Sequence, residues 1–205
     1  MRRIYLATGN AHKVQEFQQL AGASDLAIEF VRPPAMPPVV EDTGTFVGNA
    51  RKKAMALKAV LPPDAWVLAD DSGLCVDALG GAPGVESAYY AGREGNPQAN
   101  LEKLTEVMRA VPLPGRGAHF ICVLVLLRQQ ESPERIVEGR CDGTLLPEPA
   151  GGRGFGYDPL FLPQGFTASY AEISAETKNT ISHRAQAFAQ LARWLIETNT
   201  QGSVG

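Results

Sequence analysis

Two pairs of adjacent acidic residues, Glu41-Asp42 and Asp70-Asp71, are the first candidates for chemistry in this chain. Clustered carboxylates repel one another and raise their own pKa values unless a cation compensates them, so a site that gathers both pairs is most simply a Mg²⁺ site. Such an ion bridges phosphate oxygens and sharpens a bound water as a nucleophile. Thr8-Gly9-Asn10-Ala11-His12-Lys13 supplies the complementary feature, a glycine turn and then a lysine where a strand gives way to a helix. Free N–H groups and the helix dipole favour an anion there. Lys53 and Lys178 are two more candidate phosphate ligands, and Phe155-Gly156-Tyr157-Asp158 follows a glycine-rich loop that could lay a ring on a flat base with a carboxylate at its polar edge. Each stretch also has a plain structural reading: a βα turn, a solvated acidic turn, a surface lysine, an aromatic plug in a core.

Periodicity shows which strands and helices carry these residues. Arg3 to Thr8 is a short β-rich run, after which Val14, Phe17 and Leu20 recur at helical spacing up to Gly22. Leu26 to Val31 predicts a second strand, and the Pro-rich stretch from Arg32 to Pro38 predicts a loop that Glu41-Asp42-Thr43-Gly44 closes. Phe46 to Leu61 predicts a helix with a basic face, stopped by Pro62-Pro63. Trp66 to Ala69 predicts a buried strand with the acidic pair at its end, and an apolar run resumes at Leu74. A helix over Asn100 to Val111, a central strand over His119 to Leu127, a partner strand over Ile136 to Leu145 and a last helix from about Ser182 to Glu197 complete the reading. Strands alternating with helices indicate the α/β class.

Composition bounds what such a chain does. Of 205 residues, 44% are hydrophobic and 20% charged, as in an ordinary globular chain, and the formal net charge of -3 provides no global field for nucleic acid or acidic membranes. Single-stranded nucleic-acid binding also lacks interleaved aromatics. No stretch approaches the apolar length of a membrane span. The three widely spaced cysteines, Cys75, Cys122 and Cys141, suggest neither a disulfide framework nor a zinc site, which fits a reducing cytoplasm.

Seven short motifs in order carry a resemblance. Thr8-Gly9-Asn10 with Lys13, Glu41-Asp42-Thr43-Gly44, Asn49-Ala50 with Lys53, Ala69-Asp70-Asp71-Ser72-Gly73-Leu74, Leu79-Gly80-Gly81-Ala82-Pro83-Gly84, Gly154-Phe155-Gly156-Tyr157-Asp158-Pro159 and Ile181-Ser182-His183-Arg184 resemble the inosine/xanthosine triphosphate pyrophosphatase family, the Ham1 or RdgB family, from Ile4 to about Leu195. The resemblance implies an elongated mixed β-sheet flanked by helices, two lobes with a central active-site cleft, and a homodimer. It implies one two-lobed domain over residues 1–198, and the residues past Thr198 read as a frayed, flexible tail over 199–205. It implies Mg²⁺-dependent hydrolysis of ITP, dITP and XTP to the monophosphate and pyrophosphate, with no nucleic-acid or membrane partner.

On matched positions, Thr8, Gly9, Asn10, Ala11, His12, Lys13, Lys53 and Lys178 would hold the triphosphate, and Asp71 would accept the proton of the attacking water. Asp71, Asp70, Glu41 and Asp42 would be the metal or water contacts. Ser72, Phe155, Gly156, Tyr157 and Asp158 would surround the base, and His183 and Arg184 would donate to its 6-oxo group. Adenine carries a donor amine at that position, so ATP leaves donor facing donor, at about 1–3 kcal/mol for each unsatisfied group. A non-catalytic nucleotide sensor is disfavoured by the intact acidic set, since a binder gains little from a spare general base. A pyrophosphatase of similar fold acting on other modified nucleotides differs only in substrate profile.

Overall fold

The structure, a computed structural model, describes residues 1–92, 95–128 and 133–201. Its strands are β1 (Arg2–Leu6), β2 (Ile28–Val31), β3 (Trp66–Val76), β4 (Gly117–Leu127), β5 (Arg135–Leu145) and β6 (Phe161–Pro163), in a six-stranded sheet of order β2-β1-β3-β4-β5-β6. The sheet is mixed: β1 runs parallel to β2 and β3, while β5 and β6 are antiparallel. The helices are α1 (Ala11–Gly22), α2 (Phe46–Lys58), α3 (Pro97–Met108), α4 (Ala175–Ile181) and α5 (His183–Gln201), so the α/β class holds. The chain divides into two compact units, the first built from Met1–Asp71, Cys122–Gly139 and Arg184 onward, the second from Ser72–Ile121 and Arg140–His183.

In the first unit the strand pleat sorts the core into two layers. Ile4, Leu6, Leu68, Leu124 and Leu126 pack with Phe17 and Leu20 of α1 and Phe188 and Leu191 of α5. The alternate residues Ala7, Val67, Ala69 and Val125 pack with Ala50, Ala54 and Leu57 of α2. Successive strand side chains point to opposite faces, so a strand covered on both sides reads as a continuous apolar run. Asn10 starts α1 by accepting from the amides of His12 and Lys13, at 2.9 and 3.4 Å, and Thr45 starts α2 by accepting from Gly48.

The second unit is organised around Leu74, Leu101, Leu104, Met108, Phe120, Tyr157, Leu160, Phe161 and Tyr170. Phe120 lies edge-on to Phe161 with ring centroids 4.8 Å apart. Arg116 is buried there, its guanidinium donating to the carbonyls of Met108, Val111, Leu145 and Leu146. That side chain satisfies orphan carbonyls at the end of α3 and of β5 at once.

Several expectations shift. The acidic pair lies within β3 and not at its end, because the strand continues through Ser72 and Gly73 to Val76. The third helix begins at Pro97, where Asn96 caps it and a first-turn proline loses no hydrogen bond. Lys178 lies on α4, a separate short helix capped by Ser174. The last helix extends to Gln201, four residues past the expected Glu197, so of the expected tail only 202–205 fall outside the described residues. No helix among the described residues is long and apolar enough to cross a membrane, and the three cysteines are free thiols.

Candidate active site

The candidate residues of the first unit fall on two faces of β3. Asp70 follows Leu68 in the pleat and points to the α1/α5 side; Asp71 follows Ala69 and points to the α2 side. On the first face, Lys13 Nζ lies 2.5 Å from Asp70 Oδ1, and Arg184 Nε lies 2.8 Å from Asp70 Oδ2, which also receives the Cys122 thiol at 3.3 Å. Arg184 Nη1 pairs with Glu16. Arg184 is 1% exposed and Asp70 2%. Burial would raise the Asp70 carboxyl, but Arg184 and then Lys13 outweigh it and hold it well below the usual carboxylate range. Burial likewise works against the Arg184 cation, and Asp70 and Glu16 more than restore it.

On the other face, Lys53 Nζ bridges two carboxylates, at 2.6 Å from Asp71 Oδ1 and 2.8 Å from Glu41 Oε2. Asp71 Oδ2 is buried and has no hydrogen-bond partner among the described residues. Burial pushes the Asp71 carboxyl up to about 6, with Lys53 pulling against it and the neighbouring Glu41 adding to the rise. Glu41 goes the other way: burial would raise it, and Lys53 brings it below its ordinary value. The Lys53 cation is disfavoured by burial and favoured by Asp71 and Glu41, with a net rise.

The loop that delivers Glu41 is pinned to α2. Buried Asn49 accepts from the Thr43 amide at 3.2 Å and the Thr43 hydroxyl at 2.8 Å. Gly48 makes that approach possible, since a Cβ there would lie 2.7 Å from Thr43 Cβ. Asp42 is instead an exposed partner of Lys52.

The four carboxylates expected at one metal are therefore not gathered. Asp71 and Glu41 share Lys53, Asp70 is spent on the opposite face of the strand, and Asp42 is tied to Lys52. Among the described residues no three acidic, histidine or cysteine side chains form a ready metal cage. The Asp71–Glu41 pair still fits a hard divalent cation, because carboxylate oxygens are its preferred ligands and one buried Asp71 oxygen accepts no hydrogen bond from the described residues.

The Thr8–Lys13 turn stands between β1 and α1, with the Thr8 hydroxyl accepting from the Asn10 amide at 3.1 Å. Gly9, Asn10, Ala11 and His12 are exposed. No atom lies within 4 Å of where a Gly9 Cβ would be, so glycine here leaves room for a ligand and serves no internal packing.

In the second unit, Asp158 Oδ2 accepts from Lys178 Nζ at 2.7 Å and from the Phe155 amide at 2.9 Å. Gly154 adopts φ 73°, and any side chain there would collide with the Asp158 carboxylate. The Lys178 ammonium lies 5.2 Å from the Phe155 ring centre and 5.3 Å from that of Tyr170. Lys178, expected as a phosphate ligand, is buried and paired with Asp158. Tyr157 is a core residue whose hydroxyl donates to the Ser87 carbonyl at 2.9 Å, and burial, with Tyr90, raises its pKa. His183 is stacked on Phe120, 4.7 Å between centroids and 11° between planes. Ser72 is half-buried on β3.

Sequence reading missed Glu16, Asn49 as a loop anchor, and Cys122. Only Glu16 left a signal, since three residues beyond Lys13 it shares a helical face with it.

Known proteins resemble this chain over nearly its whole length. A dITP/XTP pyrophosphatase of Opitutus terrae is 59% identical over 199 residues, spanning 94% of this chain and 98% of that protein. A HAM1 protein from Coxiella burnetii superposes with a TM-score of 0.83 at 39% identity, over 96% of this chain and all of that one. The Staphylococcus aureus Ham1 protein does so with a TM-score of 0.81 at 32% identity and the same coverage. The sequence profile described as the Ham1 family matches residues 4–194, a span that holds β3 with its two aspartates and the Lys53-bridged Asp71–Glu41 pair, and the chain belongs to the Ham1 family.

Proposed function

We propose that this chain hydrolyses deaminated purine nucleoside triphosphates, dITP, ITP and XTP, to the nucleoside monophosphate and pyrophosphate. The observation that carries the reading is the Lys53-bridged Asp71–Glu41 pair, with one buried Asp71 oxygen unpartnered and its carboxyl pushed up to about 6. A group titrating there is ionised in about nine of ten molecules at neutral pH and still basic enough to take a proton, which is what a general base needs. Asp71 accepts the proton of the attacking water. Lys53 keeps Asp71 and Glu41 together without neutralising either. Asp71 and Glu41 would hold Mg²⁺, which when bound supplies charge neutralisation on the phosphate oxygens and lowers the pKa of water.

Thr8 to Lys13 takes the triphosphate, with Asp70 orienting Lys13 from below. Phe155 stacks on the base beside Ser72, and Asp158 and Lys178 hold that loop in shape. His183 and Arg184 are the donors to the 6-oxo group. Their support is rigidity, His183 through Phe120 and Arg184 through Asp70 and Glu16. The same reading takes the enzyme to be a cytoplasmic homodimer, for which sedimentation and fractionation are the checks.

Pyrophosphate release from dITP, ITP, XTP, GTP and ATP, with Mg²⁺ and with EDTA, tests the proposal. Metal-dependent release from the first three, with GTP and ATP slow, is expected. Binding of ITP without any release would replace the enzyme by a nucleotide sensor.

A further inference from the structure

We propose that Arg32 is a further phosphate ligand, receiving the pyrophosphate end of the triphosphate in a cavity that it shares with Thr8 and Gly9; this rests on the hydrolysis reading above. The parallel pairing of β1 and β2 sets Tyr5 opposite Val31, so the chain leaves both strands on the same edge, β1 toward Thr8-Gly9 and β2 toward Arg32. Ligands of parallel α/β sheets bind at the carboxyl ends of the strands. At this one lies a cavity of about 340 Å³ formed by Thr8 and Gly9 on one side and the Arg32–Met36 stretch, with Pro33, Pro34 and Ala35, on the other.

The lining determines the ligand class. Its proline and alanine side chains carry no hydrogen-bonding atom, so the side-chain donors of the lining are the Thr8 hydroxyl and the Arg32 guanidinium. The single ionisable group is the Arg32 guanidinium. Arg32 is exposed and has neither an ion pair nor a side-chain hydrogen bond among the described residues, whereas Lys13 and Lys53 are both held by carboxylates. A planar fork of donors beside an uncrowded glycine matches a phosphate group. Pro33 restricts Arg32 to extended backbone, so part of the ordering needed for binding is already in place.

The test compares the wild-type chain with Arg32→Gln and Arg32→Lys. Because Arg32 is unpaired and exposed, neither change threatens folding. Arg32→Gln is expected to raise KM for dITP about tenfold with kcat nearly unchanged, and to weaken inorganic pyrophosphate binding, measured by calorimetry, by about the same factor. Binding of the product monophosphate stays as in wild type, Arg32→Lys recovers part of the loss, and added salt narrows every difference. Equal pyrophosphate binding by wild type and Arg32→Gln overturns the proposal, as does weakened monophosphate binding in its place. If the wild type releases no pyrophosphate from any nucleotide while Arg32→Gln still loses pyrophosphate binding, the hydrolysis reading fails and the anion site stands.

Discussion

Replacing Asp70 or Asp71 by asparagine is the same chemical change at consecutive positions, yet the two are expected to alter stability with opposite sign. Asp70→Asn removes the carboxylate that compensates Arg184, a guanidinium 1% exposed, along with the partner of Lys13. Breaking a buried pair from one side costs about 3–5 kcal/mol, and because Glu16 still meets Arg184 the lower end applies, about 3 kcal/mol. Asp71→Asn removes a charge that the fold disfavours. Its carboxyl rises from 3.8 to about 6 on folding. A rise of that size is about 3 kcal/mol of ionisation cost at neutral pH, and with the lost Lys53 hydrogen bond deducted the variant is about 1–3 kcal/mol more stable than wild type.

The pH dependence carries the same opposition. Asp70 has a depressed folded-state pKa, so its stabilisation is complete above the ordinary carboxylate value and is lost as the pH falls below it; the deficit of Asp70→Asn therefore shrinks in acid. Asp71 has a raised pKa, so the folded wild type keeps a proton that the unfolded chain has released. Its stability declines as the pH climbs from about 4 to about 6 and then levels, and the advantage of Asp71→Asn is absent in acid and full above about 6. Urea denaturation of the three proteins in EDTA at pH 7.5 and pH 4 reads both effects, with midpoints displaced by about 1 M in opposite directions at the higher pH. Midpoints moving the same way at pH 7.5 would refute the assignment of the two aspartates to different faces of β3.

Other consequences are open to direct measurement. Asp71→Asn should lower pyrophosphate release by about 100-fold or more with ITP binding nearly intact, and near-normal turnover removes Asp71 as the base. Wild-type kcat/KM should fall about tenfold per pH unit once Asp71 is protonated, and an acid limb lying well above about 6 contradicts the Asp71 assignment. Arg184→Ala should lower Tm by several degrees and raise KM for ITP about tenfold without a matching effect on ATP; equal rises for both nucleotides sink the base-reading role. Tyr157→Phe should cost about 1–2 kcal/mol of stability through the lost bond to the Ser87 carbonyl and leave KM unchanged, whereas a raised KM would make Tyr157 a substrate ligand.

Much was readable from residue order. The periodicities over Val14–Leu20 and Ala185–Leu195 and the apolar runs at Trp66 and His119 identify helices and strands of an α/β chain, because each element carries its own burial pattern. The chemistry of the candidate residues was also present in one dimension: two acidic pairs, a glycine turn before Lys13, and lysines to meet phosphate. What one dimension did not contain is which charge meets which. Asp70 and Asp71 look equivalent as neighbours, and ending the strand at Ala69 concealed that the pleat sends them to opposite faces, one to Arg184, 114 positions away, and the other to Lys53. The partners of Lys178 and Tyr157 were hidden for the same reason, since nothing in residue order marked Asp158 or the Ser87 carbonyl as their neighbours. Local sequence determines elements through short-range sterics and hydrophobic spacing, while long-range electrostatic pairing depends on distances that only the packed chain creates. The tertiary structure alone therefore decided that one aspartate is a buried counter-ion of Arg184 and Lys13 and its neighbour a carboxylate whose pKa burial raises.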